Sequence, residues 1–163
     1  MPRPALVALA LSLSTAAVAQ TPEQAQPYLE AAARGDIFEI TTSQMALMKS
    51  QDPMVRQYAQ RMISDHTLAT NNALAAATAA GVVPPPAVLN DQQRQQITQL
   101  LGASGAQFNR LYWQMQTASH QQALTLQRNY AAEGDTEQLR TFASRIAPVI
   151  AEHLEDARRH SAM

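Results

Sequence analysis

Four histidines are present in 163 residues, and three of them, His66, His120 and His153, fall on different helical stretches of the chain. His66 follows Met62 by four residues and precedes Ala69 by three, which puts it on an apolar stripe. His153 follows Ile150 by three and precedes Ala157 by four, again on the stripe. His120 follows Trp113 by seven and precedes Leu124 by four, so it is expected to flank the core. Glu39 stands seven residues before Ala46, beside the face that carries Phe38. Neutral imidazole binds borderline ions well, so three imidazoles and a carboxylate turned into one interior would suit zinc, copper or iron. Against this, one buried histidine taken singly more often hydrogen-bonds a carbonyl or carboxylate than a metal. The metal case therefore rests on the joint set Glu39, His66, His120 and His153.

Other chemistries fit the residues less well. A di-iron carboxylate centre needs Glu-x-x-His on each of two helices, but Thr117 and Ile150 occupy the positions three before His120 and His153. Met45, Met48, Met54, Met62 and Met115 are soft donors for copper, yet methionines at helical spacing are usually core filler. No Gly-x-Ser-x-Gly turn and no Gly-rich phosphate loop occurs. Cysteine is absent, which excludes thiolate catalysis, iron–sulfur clusters and disulfide staples. The residues Glu152, Glu155, Asp156, Arg158 and Arg159 read as a solvated helix face.

Five helices are needed to position the histidines. The first runs from about Pro27 to Ser50, with Tyr28, Ile37, Ile40, Leu47 and Met48 among its apolar positions and Gly35 as a weak point. Asp52-Pro53 reads as N-cap and first residue of the second helix. Gly81 is placed to end that helix, and Pro84-Pro85-Pro86 blocks its continuation. Asn90 and Gln93 are spaced as a capping box for a short helix, Asp91 to Leu101, and Ser104 and Gln107 repeat the signature before a long helix from about Gly105 to Glu133. The last helix, Thr136 to about His160, contains Pro148, which predicts a kink.

Short connections force the first two and the last two long helices into antiparallel hairpins. The middle connection, from about Gly81 to Ser104, is long enough to run the length of a bundle or to return at the same end. The expected fold is all-α, a four-helix bundle with a short extra helix in its middle connection. Counted from Pro53, Glu39 lies 14 residues before and His66 13 after, so those two are expected to be level. Counted from Gly134, His120 lies 14 before and His153 19 after. That difference amounts to about 7 Å of helix rise, which argues against a single site for all four residues.

The chain opens with Arg3, an apolar run from Ala5 to Leu13 and the small residues Ala17-Val18-Ala19, the layout of a secretory signal peptide over residues 1–19. Cleavage after Ala19 leaves residues 20–163 as one domain, its core about 27–160, in the periplasm or outside the cell. Without Arg3 the balance is 11 Lys and Arg against 13 Asp and Glu, too weak and scattered for a nucleic-acid partner. No later apolar stretch reaches membrane-spanning length.

Several stretches together resemble the bacterial domain of unknown function family 4142, whose members often carry an outer-membrane label. These are the region of Glu39, the run from Val55 to Thr67 that holds Asp65-His66, Phe108-Asn109-Arg110-Leu111-Tyr112 leading to His120, and Leu139 to Leu154 with Ala147-Pro148 and His153. The family commonly has Asp where this chain has Asn109. The resemblance implies a ferritin-like helical protein with a signal peptide, located in the periplasm, and brings no settled reaction. An integral outer-membrane assignment conflicts with the lack of amphipathic strands, leaving peripheral association with that membrane.

On this basis the first expectation is a non-catalytic bundle that requires no cofactor, meets a protein partner or serves envelope stress, and keeps its histidines mainly for structure. The alternative is a metal-binding or metal-dependent redox protein built on Glu39, His66, His120 and His153. A third reading is a bundle whose stability responds to pH through buried imidazoles.

Overall fold

The computed structural model describes residues 22–161; the signal-peptide reading of residues 1–19 lies outside them. The described residues form five helices: α1 (Ala25–Lys49), α2 (Pro53–Ala79), α3 (Asp91–Gly102), α4 (Gly105–Glu133) and α5 (Glu137–Ser161). No strand occurs among them, and the fold is all-α.

Local chemistry sets most of the ends. Asp52 accepts hydrogen bonds from the backbone N–H groups of Met54 and Val55, while Pro53 occupies the first helical position, where no N–H is needed. At the far end of α2, Gly81 takes φ +68°; its N–H reaches Thr78 O and that of Val82 reaches Ala77 O, a Schellman closure. The Asn90–Gln93 capping box is present in both directions. The expected Ser104–Gln107 box is not, for Ser104 makes no side-chain cap. Gly105 begins α4 at φ +53°, so the chain enters this helix through a left-handed residue, a conformation outside the capping-box pattern. Helix α5 continues through Pro148.

Contacts give the order of the long helices around the bundle as α1, α2, α5, α4. Tyr28 stacks on Tyr130, and Ser43 bonds Tyr112, so α1 and α4 are antiparallel. Tyr58 and Asp65 both reach His153 while Ala69 and Phe142 share a pocket, so α2 and α5 are antiparallel too. Helix α2 therefore ends at the opposite end from the start of α4. Residues 80–104 cross the full length of the bundle beside α1, which holds them through Gln26 on Val83 O, Arg34 on Val88 O and Lys49 on Leu101 O. Of the two paths that the chain length allowed, the structure takes the long crossover.

Three apolar clusters fill the interior. The first, around Phe38, Met62, Phe108 and Tyr112, lies toward the α1–α2 turn; the second, around Tyr28, Leu29, Tyr130 and Leu139, lies toward the α4–α5 turn; the smallest, Leu124, Ala147, Ile150 and Leu154, joins α4 to α5. Met45, Met62 and Met115 are core residues as expected, but Met48 and Met54 are exposed and fill nothing. The apolar stripe of α2 continues past His66 through buried Ala69, Ala73 and Ala77. Between the first two clusters lies a polar layer.

Candidate metal centre

That layer holds His66, His120 and His153, all buried. Their ring centroids form a near-equilateral triangle, 5.4 Å from His66 to His120, 5.7 Å from His66 to His153 and 5.3 Å from His120 to His153. One ring nitrogen from each lies within 4.8 Å of the others. His120, expected at the edge of the core, is instead fully inside it.

The axial mismatch expected between His120 and His153 shrinks because the turn is not a single pivot. Gly134, Asp135 and Thr136 all lie outside the helices, so His120 is 13 residues before the end of α4 and His153 is 16 after the start of α5. A three-residue difference is about 4.5 Å of rise, small enough for side-chain reach to absorb. The same correction applies to the first hairpin. Asp36 lies 13 residues before Lys49 and His66 13 after Pro53, so Asp36, not Glu39, is level with His66.

Each ring is anchored on the side away from the triangle. His66 Nδ1 donates to Asp36 Oδ1 at 2.8 Å, and Thr70 Oγ1 donates to the other carboxylate oxygen, also at 2.8 Å. His120 Nδ1 donates to the Gln116 carbonyl at 2.8 Å. His153 Nε2 donates to Asp65 Oδ2 at 2.9 Å, and Tyr58 Oη donates to the His153 carbonyl at 3.2 Å. These bonds assign the tautomers. In the neutral rings the lone pairs then sit on Nε2 of His66, Nε2 of His120 and Nδ1 of His153.

The inner side is left short of donors. His66 Nε2 and His120 Nε2 face each other at 3.4 Å, and His153 Nδ1 is buried with no hydrogen-bond partner. Two facing lone pairs repel unless a proton or a cation lies between them. The remaining buried side-chain atoms without a partner, among the described residues, are both carboxylate oxygens of Glu39 and Oε1 of Gln116. Every unmet demand in this interior therefore belongs to the same layer, and each is for a donor or a positive charge.

The protonation pattern follows from the same contacts. Burial works against charge on His66, but its hydrogen bond to Asp36 and the fields of Glu39, Asp36 and Asp65 outweigh burial and raise its pKa above 6.5. Burial lowers His120, and the Glu39 field only partly offsets this while His66 adds to the lowering. His153 is lowered too, by burial and by repulsion from His120 and His66, despite its bond to Asp65. Nearby, burial pushes the phenols of Tyr58 and Tyr112 upward, so both remain neutral donors.

Glu39 does not join the three ring nitrogens. Its Oε1 lies 3.7 Å from His120 Nδ1, the nitrogen bonded to Gln116 O, on the outer side of that ring. A cavity of about 210 Å³ between α1, α4 and the crossover reaches His66, His120, Glu39 and Asp36, with Asn90 and Gln93 in its wall. On the opposite side an open groove of about 820 Å³ between α2 and α5 shares Asp65, Phe142 and Val149 with a small pocket at His66 and His153. The triad thus has a space on each side.

The family model for the domain of unknown function DUF4142 matches residues 10–159. The chain belongs to the DUF4142 family. Among solved structures, this DUF4142 chain is similar to CopM in its Cu(II)-bound form, with TM-score 0.72 and 16% identity over 85% of this chain and 95% of that one. It is also similar to CopM in the Cu(I)-bound form, with TM-score 0.68 and 18% identity over 83% and 93% of the two chains. The Ag-bound form of CopM gives 0.66 and 17% over the same shares. At that level of identity the likeness establishes a common fold. No curated protein matches the chain.

Of the expected residues, His66, His120 and His153 are brought together and Glu39 is set beside them. Asp36, Asp65 and the Gln116 carbonyl, which hold the rings, were not anticipated as a set. Only Asp65 had a sequence signal, since it adjoins His66 and cannot face the same way; it turns to His153 instead.

Proposed function

We propose that this bundle binds a transition-metal ion, copper above all, through His66, His120 and His153. The observation that carries the reading is that three ring nitrogens from three helices converge within 4.8 Å while the opposite nitrogen of each ring is tied down. Carbonyl and carboxylate partners on the outer nitrogen are how proteins orient metal-binding imidazoles and raise their basicity. Imidazole suits copper and zinc, and the absence of thiolates removes the commonest competing donor set. The copper- and silver-bound structures of CopM, which share this fold, support copper as the first ion to test. No described helix is long and apolar enough to cross a membrane, in keeping with a bundle that works in the periplasm.

Elemental analysis of the protein purified from its own host, without chelator or added histidines, tests the proposal. Near-stoichiometric copper or zinc, lost in both His66→Ala and His153→Ala but kept in His160→Ala, is the expected result. A metal-free protein whose melting temperature does not rise with added Cu(II) or Zn(II) would overturn it.

A further inference from the structure

The metal reading leaves Glu39 unexplained, and Glu39 is the one buried carboxylate among the described residues. Its side chain is 3% exposed, and neither carboxylate oxygen has a partner. A carboxylate taken out of water without a partner costs more than the burial of an apolar residue in its place would gain. Thr42 and Gln116 do not meet the need. Thr42 Oγ1 donates to the backbone carbonyls of Phe38 and Glu39 and receives the Gln116 amide N–H at 3.1 Å, and Gln116 Oε1 is a further acceptor without a partner.

The charges around the triad can be counted from the ion pairs. Asp65 is part-exposed and engaged by Arg61 at 3.4 Å, while Arg61 also lies near Glu152 and Asp156. Arg34, in the wall of the cavity, is engaged by Glu30. Asp36 and Glu39 are the two carboxylates at the triad with no Lys or Arg paired to them; their basic neighbours are His66 and His120 of the triad itself. A divalent ion among three neutral imidazoles cancels those two charges. A monovalent ion leaves one of them buried and uncancelled.

We infer that Glu39 is a built-in counter-charge that makes the centre select divalent over monovalent metal ions. It is a positioning residue that acts through field rather than ligation, since it approaches the outer edge of His120. This inference rests on the metal reading above and adds the charge class of the ion. It sets Cu(II) and Zn(II) ahead of Cu(I) and Ag(I) for this chain.

The test is to measure dissociation constants for Cu(II), Zn(II), Cu(I) and Ag(I) on the wild type and on Glu39→Gln, Glu39→Leu and Glu39→Asp. Removing the charge should weaken both divalent ions by about tenfold and the monovalent ions by only about threefold, because the same field acts on twice the charge. Glu39→Asp, which keeps the charge, should keep the divalent preference. The metal-free Glu39→Gln and Glu39→Leu proteins should melt no lower than the wild type, because an unpaired buried charge has been removed. Equal losses for both classes of ion, or no loss for either, would overturn the inference while leaving the metal reading intact. Failure of the wild type to bind any of the four ions would overturn both.

Discussion

His66 Nδ1 and Asp36 Oδ1 lie 2.8 Å apart, joining α1 to α2 across 30 residues of sequence. Because the same carboxylate is also held by Thr70, its position is fixed from both sides, and with it the direction in which His66 Nε2 points. Asp36→Asn should therefore keep the fold yet loosen the ring and lower its basicity. Metal affinity is expected to fall by about 10- to 100-fold, read by competition with a chromophoric chelator. An unchanged affinity would mean that ring orientation is set by packing alone.

Asp65→Asn should do less. Asp65 anchors His153 from a part-exposed position where water can replace it, and it shares its charge with Arg61. The expected loss is below about tenfold, smaller than for Asp36→Asn in the same assay. A larger loss for Asp65→Asn would reverse the ranking of the two carboxylates.

The metal-free protein should show a stability maximum a little above pH 6.5. His120 and His153 are held below that ordinary value, so folding expels their protons, and the stability present above pH 6.5 is lost as pH falls toward their folded values. His66 is held above it, so its contribution is complete below pH 6.5 and is lost as pH rises through its raised pKa. Two lowered groups against one raised group make the acid side the steeper. Calorimetry from about pH 5 to about pH 8 reads this directly, and a flat melting temperature would contradict it.

Gly134→Ala should destabilise the α4–α5 turn. A Cβ there would lie 2.5 Å from Tyr130 Cε1 and 2.6 Å from the Tyr130 carbonyl oxygen. Tyr130 stacks on Tyr28 with centroids 3.8 Å apart and donates to Asp135, which in turn receives the Gln24 N–H. Moving the ring would disturb all three contacts, at a cost of about 1–3 kcal/mol in a denaturant titration. An unaltered midpoint would show that the turn adjusts freely.

Most of the fold was legible in the residues because helix ends are local. Asp52-Pro53, the Asn90–Gln93 box and Gly81 each satisfy backbone groups within a few positions of themselves, so their meaning does not depend on the rest of the chain. The Ser104–Gln107 box failed for an equally local reason, the left-handed Gly105. The path of the middle connection was not legible, since its length allowed either end; contacts of α1 with Val83, Val88 and Leu101 decide it.

The all-α class, the two hairpins and the placement of His66 and His153 on buried stripes follow from the order of residues, because periodicity and capping are properties of single helices. Tertiary structure alone decided that the three imidazoles share one layer. That depends on three-residue turns and on how side chains lean across neighbouring helices, neither of which a count from one pivot residue captures. It also decided that Asp36, Asp65 and the Gln116 carbonyl hold the rings, and that Glu39 stands behind His120 with its charge unmatched. Such partners lie far apart in sequence or on the backbone itself, and only packing brings them within hydrogen-bond reach.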